Sequence, residues 1–356
     1  EENTNSIYDI RGIEWLEQLT YLNLFSNKIG NIEALSSLTR LETLVLYNNK
    51  IRDIDSLTSL TSLNRLNLRG NYLSDINGLS ELYNLTNLDL DNNQISDISG
   101  LSSLTNIESL DLGYNNITDI SHLTSLTNIS SLVLYGNQII DISALSSFSN
   151  IRSLFLSNNQ IEDISVLSSL ITLNFASLSG NQITDITALT SLSDLRRLKL
   201  DGNQISDISP LVSLTGLEQL ELDHNPISDI GSLTSLINLQ ELGLGYTEIN
   251  DITELSFLTD LVSLNLSGNK LNDINVLSSL TKLEVLYLSD NQLSDINALS
   301  SLKNLKVLNI RDNPISDISA LETLINLQIL RIRDTEISSE DIQLLEDLLP
   351  NLSIRL

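Results

Sequence analysis

Apolar residues recur in this chain on a fixed beat. From Leu41 the sequence reads L-E-T-L-V-L-Y-N-N-K-I-R-D-I-D-S-L-T-S-L-T-S-L, and the same spacing returns every 22 residues. Leu44-Val45-Leu46 alternates as a short strand does, with Leu44 and Leu46 turned one way and Thr43, Val45 and Tyr47 the other. Ile51, Ile54, Leu57, Leu60 and Leu63 follow at steps of three, the spacing of a tight 3₁₀-like or short helical arc. Strand, turn and arc repeat from Asn5 to Thr335 without insertion or deletion, and a fixed period in this range predicts a single elongated α/β solenoid.

Two polar columns punctuate the repeat. Asn stands at 14 of the 16 positions from 5 to 335, Thr247 and Thr335 being the exceptions. Its amide suits a bend because it can satisfy backbone groups that the turn leaves unpaired, so the column predicts a stacked hydrogen-bonded ladder. Asp fills a second column from Asp9 to Asp317, interrupted by Asn31, just ahead of each arc. It is expected to cap the arc's free N–H groups. A calcium ladder is the alternative, but capping already accounts for one carboxylate per coil. No metal or cofactor is called for. One layer looks underfilled: Ala176 stands where Leu154 and Leu198 mark the core, and Phe148 one coil earlier is placed to lean into the gap.

Composition narrows the function. Apolar residues make up 41% of the chain and aromatics only 4%, so Leu and Ile fill a narrow repetitive core. The absence of Cys excludes disulfides, a thiolate nucleophile and Cys-ligated zinc. A net charge of −27 disfavours nucleic acid and anionic membranes, which are held through Lys and Arg. No apolar run approaches the roughly 20 residues of a membrane-spanning helix, so no direct membrane insertion is expected. Only His122 and His224 are present, on different faces and coils apart, so no metal or proton relay joins them. No Gly-rich phosphate loop appears, and Asp89 and Asp91 are expected to lie on an open, wet sheet where nothing separates their pKa values as acid–base work requires. Together these features argue against an enzyme.

The motif L-x-x-L-x-L-x-x-N-x-I-x-D-I resembles the leucine-rich repeats of the 22-residue class over about residues 5–337. The run from Asp119-Ile120 to Thr127 is similar to bacterial internalins in particular. That resemblance implies a horseshoe with a 16-stranded parallel concave sheet and 3₁₀ or short-helical convex arcs. The chain departs from internalins in carrying Ser56, Ala144 or Val166 where most of their units have Pro, with Pro210 the match. An N-terminal helical cap and an immunoglobulin-like region are also missing from the sequence.

The organisation is then an N-terminal half repeat or cap remnant at 1–20, repeats over 21–337 and a closing unit at 338–356. Ile7, Ile10, Ile13, Leu16 and Leu19 start in phase, with the lone Trp15 on a convex position; a cap or signal segment is expected to have preceded them. Ser338 to Leu349 reads as a true helix capped by Ser338 or Ser339 and stopped by Pro350. A last strand follows, in phase, with Leu352 and Ile354 as its core pair. The ending L-L-P-N-L-S-I resembles the closing unit of many bacterial leucine-rich proteins.

Function is expected on the strand face, where three residues per coil point away from the core. Strands one and two place Tyr21, Phe25, Val45 and Tyr47 there, and strand three Arg65 and Arg69. Asp89, Asp91 and Asp111 come next, then Tyr135, Phe155 and Phe175, each one alternation earlier than the last. Arg197 and Lys199, Glu221, Asp223 and Glu241, then Tyr287, Arg311, Arg331 and Arg333 complete the series. Exposed aromatics and Arg are the types enriched at binding hot spots, although aromatics suit any strand. The reading is a non-enzymatic, secreted or cell-surface bacterial module binding a protein partner, of the host- or cell-surface class, in the concave face; a glycan ranks behind a protein. Two alternatives stand: a cytoplasmic regulatory scaffold like the phosphatase-regulating repeats, and an ice- or polysaccharide-binding surface on the paired convex Ser/Thr columns.

Overall fold

The computed structural model describes residues 6–355, so Asn5, the first member of the asparagine column, lies outside them. By contact density the chain forms two compact units, one ending at Asn181 and the other beginning at Gln182. The first unit carries strands β1 Tyr21–Asn23, β2 Thr43–Val45, β3 Arg65–Asn67, β4 Asn87–Asp89, β5 Ser109–Asp111, β6 Ser131–Val133, β7 Ser153–Phe155 and β8 Phe175–Ser177. The second carries β9 Arg197–Lys199, β10 Gln219–Glu221, β11 Glu241–Gly243, β12 Ser263–Asn265, β13 Val285–Tyr287, β14 Val307–Asn309, β15 Ile329–Arg331 and β16 Ser353–Arg355. Within each unit every strand pairs in parallel with its neighbour in sequence, and short 3₁₀ helices make the returns.

The strands begin one residue earlier than the alternation suggested, at Thr43 rather than Leu44, but pairing continues beyond them. The N–H groups of Leu46 and Asn48 donate to the carbonyls of Asn67 and Arg69 in the next coil, both at 2.8 Å. Register is one repeat, with Leu44 opposite Leu22 and Leu66. Since each coil stacks on its equivalent, the side chains at 44, 46, 51, 54, 57, 60 and 63 meet their own kind above and below and are all buried. Ala176 and Phe148 are both fully buried.

The asparagine column does more than turn the chain. The Asn159 amide nitrogen donates to the carbonyls of Leu156 in its own coil and Leu134 in the coil before, both at 3.0 Å. Its Oδ1 accepts the Ile139 N–H at 3.0 Å. The ladder therefore runs from side chain to backbone rather than from Asn to Asn. Thr247 holds only part of this role: its hydroxyl reaches the Leu244 carbonyl and Asn269 Oδ1, and the Ile227 N–H turns back to the Asn225 carbonyl instead. The aspartate column caps as expected, each Oδ1 accepting the N–H two residues on, from Asp53 with Asp55 to Asp317 with Ser319.

Both ends follow the sequence with one change. The first coil is in phase, since the Ile7 N–H donates to Asn27 Oδ1 at 2.8 Å, and Ile10 is buried. Trp15, at the end of the 3₁₀ turn Ile13–Trp15, is 81% exposed. At the other end α1, Ser339–Leu348, is capped by Ser338, whose Oγ accepts the Asp341 N–H. The expected phase slips there: Ile354, not Leu352, lies opposite Leu330, an offset of 24 residues. A ten-residue α-helix closes this coil in place of a 3₁₀ arc, and the closure takes two more residues.

Asn159→Ala removes two donated bonds and leaves the buried Ile139 N–H without its acceptor, so it is expected to cost about 2 kcal/mol. Chemical denaturation checks this. Asn250, outside the column and exposed, is the control, and Asn250→Ala should leave the midpoint in place.

Candidate functional site

Leu and Ile, with Ala176 in β8, pin one face of the strands into the core, so the alternate residues must stand on the open face. In the first unit this brings Phe25 and Tyr47 together as a stacked pair, ring centroids 4.8 Å apart and 13° from parallel. Tyr21 is exposed beside them, and its hydroxyl accepts a long 3.4 Å bond from the Asn23 amide. Arg65 is exposed on β3.

The sequence suggested that Asp89 and Asp91 would both be wet, but Asp89 is half-buried and Asp91 is out of reach of water. Asp91 is fully buried: Tyr135 donates its hydroxyl to Asp91 Oδ1 at 3.1 Å, and Arg69 Nε lies 3.0 Å from Oδ2 as an ion pair without an aligned hydrogen bond. Gly113 makes this reach possible. A Cβ there would stand 2.7 Å from Asp91 Oδ1 and 2.8 Å from the Tyr135 ring. Asp89 accepts the Asp91 N–H and the Asn67 amide, and Asp111 accepts the Gly113 N–H. Loss of solvation pushes the Asp111 carboxyl from 3.8 up to about 6, with Asp89 and Asp91 adding repulsion. Desolvation raises Asp89 too, and the Asp91 charge adds to it. Burial raises the Tyr135 phenol further above its usual range, with the charges of Asp111 and Asp91 contributing. Asp89 and Asp111 line an open depression of about 410 Å³ together with Val45, Arg65 and Asn67.

The diagonal aromatic stripe divides. Phe155 and Phe175 form a tilted pair with centroids 4.7 Å apart. Tyr135 instead meets Tyr114 edge-on at 4.9 Å and turns toward Asp91. The hydroxyl drew it away, an outcome that ring counting in the sequence did not anticipate.

In the second unit Arg197 is exposed, while Lys199 is held by Glu221 at 2.8 Å. Tyr287 is half-buried on β13. Asp223 accepts the Gly245 N–H at 2.7 Å and, from two coils away, the Asn265 amide at 2.6 Å; its carboxyl is raised by burial. His224 and Tyr246 stack 4.7 Å apart and 3° from parallel, and Tyr246 passes over Gly268 to donate to Asp290 at 2.9 Å. The sequence reading did not single out Tyr114 or Tyr246, nor the stacking of His224. Their signal was present: from Ser26 to Asp334 the residue before each column position has positive φ, and these three bulky rings interrupt a run of Asn, Gly, Asp and Ser. Among the described residues no group of three His, Cys, Asp or Glu side chains is placed to hold a metal ion.

Asp111 sets a pH dependence with a definite sign. Its folded value lies above its ordinary one, so the folded chain binds the extra proton, and that stability is present below pH 3.8 and lost as pH rises through about 6. Capping aspartates such as Asp97 and Asp119 are shifted down and act below this window. The melting temperature should fall between about pH 4.5 and 7, and Asp111→Asn should flatten that fall. Thermal scans by circular dichroism at both pH values check it.

The repeat is also visible by comparison. The family described as "Leucine Rich repeats (2 copies)" matches residues 17–59, 39–81, 61–105, 83–126, 105–147, 127–169, 149–191, 169–213, 193–235 and 281–323, and "Leucine rich repeat" matches 237–293. No curated protein sequence matches the chain. Among solved structures, an internalin from Listeria monocytogenes is 38% identical, with a TM-score of 0.80 over 86% of this chain and 91% of that one. A leucine-rich repeat protein of Leptospira interrogans is 25% identical, with a TM-score of 0.88 over 98% and 93%. The leucine-rich repeat ectodomain of the Arabidopsis thaliana receptor kinase GASSHO1/SCHENGEN3, solved in complex with Casparian strip integrity factor 2, is 25% identical, with a TM-score of 0.75 over 96% of this chain and 44% of that one. The chain belongs to the leucine-rich repeat family and is an internalin-like bacterial member of it.

Proposed function

We propose that the protein is a non-enzymatic recognition module, secreted or displayed on a bacterial surface, that binds a protein partner on its open strand face. The observation that carries this reading is the Phe155–Phe175 pair. Two large rings stand on a face whose core-side neighbours Leu154 and Ala176 are buried, so the fold does not need them there. Phe25 and Tyr47 repeat the arrangement, and Tyr21, Arg65, Arg197 and Tyr287 add polar and aromatic contacts of the type enriched at hot spots. The likeness to an internalin supports the surface location, and the plant ectodomain solved in complex with Casparian strip integrity factor 2 supports partner binding by a repeat array of this kind.

The convex hydroxyl columns argue for the strand face by contrast. Ser59, Ser103 and Ser125 donate to backbone carbonyls of the preceding coil, and Thr58 and Thr124 to carbonyls of their own coil. Hydroxyls committed to the backbone present a poor donor lattice to ice or a polysaccharide.

A surface-display screen supplies a partner for the test. Phe155→Ser combined with Phe175→Ser should then weaken binding by at least about 2 kcal/mol, roughly thirtyfold, while the melting curve stays in place. Unchanged affinity, or a complex whose contacts lie wholly on the Ser/Thr arcs, overturns the reading.

A further inference from the structure

The last three strands of the second unit carry a basic island in a chain of net charge −27. Leu308, Ile310, Leu330 and Ile332 are buried, so Arg311, Arg331 and Arg333 stand on the open face. Arg355 on β16 lies opposite Arg331. Neighbouring strands are about 4.8 Å apart and alternate residues roughly 6.8 Å apart, so the four guanidinium groups share one patch. No acid stands among the open-face positions of these strands, which are Val307, Asn309, Arg311, Ile329, Arg331, Arg333, Ser353 and Arg355. Of these four arginines, Arg333 alone has an ion-pair partner among the described residues, Asp334 at 2.9 Å on the adjoining turn. The Nε of Arg311 is buried without a hydrogen-bond acceptor. Four arginines with one ion-pair partner among the described residues leave a local excess of positive charge on this part of the face.

An apolar strip runs beside the island. Val285, Val307 and Ile329 are register partners across β13, β14 and β15, all half-buried, with Tyr287 on the same face. Arginine presents a planar fork that takes carboxylates two bonds at a time, and the strip beside it accepts aliphatic side chains. A peptide offers acidic and aliphatic groups together at strand spacing, whereas a sulfated sugar offers only the charges.

We propose that this patch is the docking site for an acidic, leucine-bearing peptide segment of the partner, its carboxylates on Arg311, Arg331, Arg333 and Arg355 and its apolar side chains on the Val285–Val307–Ile329 strip. The proposal rests on the strand face being the recognition surface and adds the chemistry of what that surface takes. The patch lies in the second unit, so it is separable from the Phe155–Phe175 pair.

The test is fluorescence polarisation with a labelled octapeptide carrying Leu, Glu and Glu at successive alternate positions with Ser between them, so that all three point to one side of an extended chain, beside versions with Gln or Lys in place of Glu. The Glu peptide should bind the intact protein, the other two should not, and affinity should fall as salt rises from about 50 to 300 mM. Arg331→Gln with Arg333→Gln should weaken the Glu peptide by roughly tenfold or more, as charge-assisted pairs require. Lys282→Gln, which removes a charge paired with Asp260 elsewhere on the surface, should change nothing. Circular dichroism melts report folding, and Arg333→Gln alone serves if the double variant melts early, because that side chain is exposed. Equal binding of the Glu and Gln peptides, an equal loss in Lys282→Gln, or tighter binding of a heparin-derived hexasaccharide overturns the proposal. Failure of the strand-face reading appears separately, in the display-selected partner with the Phe155 and Phe175 variants.

Discussion

The asparagine amide is the interaction on which the fold depends. A 22-residue coil must reverse direction after a three-residue strand, and the reversal strands a carbonyl on each side and an N–H in the coil before. Asn159 meets all three with one side chain. Because those partners belong to two coils, the same bonds that make the turn also fix the stacking distance. Leu and Ile supply the driving force for collapse, but they would tolerate slippage along the stack. The amide geometry tolerates none, and Thr247 shows the consequence of a shorter side chain, a backbone N–H redirected to Asn225.

A scaffold so strictly fixed leaves the open face free to vary, and its chemistry arises where a repeat position is emptied. Gly113 lets Tyr135 span two coils to Asp91, Gly245 lies under the Asp223–Asn265 bond, and Gly268 lies beneath Tyr246 on its way to Asp290. Each removed side chain creates a polar link two coils long, stiffening the face without touching the core. The cost falls on the carboxylates, which lose water and are pushed toward their neutral forms at Asp111, Asp89 and Asp223. Among the described residues the rings of Phe155 and Phe175 in the first unit, and Arg331 and Arg355 in the second, make no such polar link.

Most of the fold was legible in the sequence because a one-dimensional repeat reduces tertiary structure to columns. Asn49, Asp53 and Leu57 each announce their role by recurring, and the structure gives them those roles. The two-residue slip before Ile354 was not legible, because it depends on how an α-helix rather than a 3₁₀ arc closes the final coil. The site was legible only in part. Alternation identified which side chains face outward but not where a long side chain goes next. Tyr135 and Phe155 occupy neighbouring coils and read alike as aromatics, yet one hydroxyl sends Tyr135 to a buried carboxylate. Burial of Asp91 depends on Arg69 and Tyr135 closing over it from opposite sides, a relation among three repeats that no single repeat displays.

The central claim is that recognition belongs to the open strand face and stability to the repeat columns. Hydroxyl-radical footprinting of the protein with and without a display-selected partner reads both faces at once. Free protein should be oxidised at Phe25, Phe155 and Phe175 on the strand face and at Ile140, Ile171 and Ile325, which are exposed away from it. With partner bound, the account expects Phe155 and Phe175 to be protected and Ile140, Ile171 and Ile325 to be labelled as before. Protection of the three isoleucines with the strand-face rings still fully oxidised would contradict it.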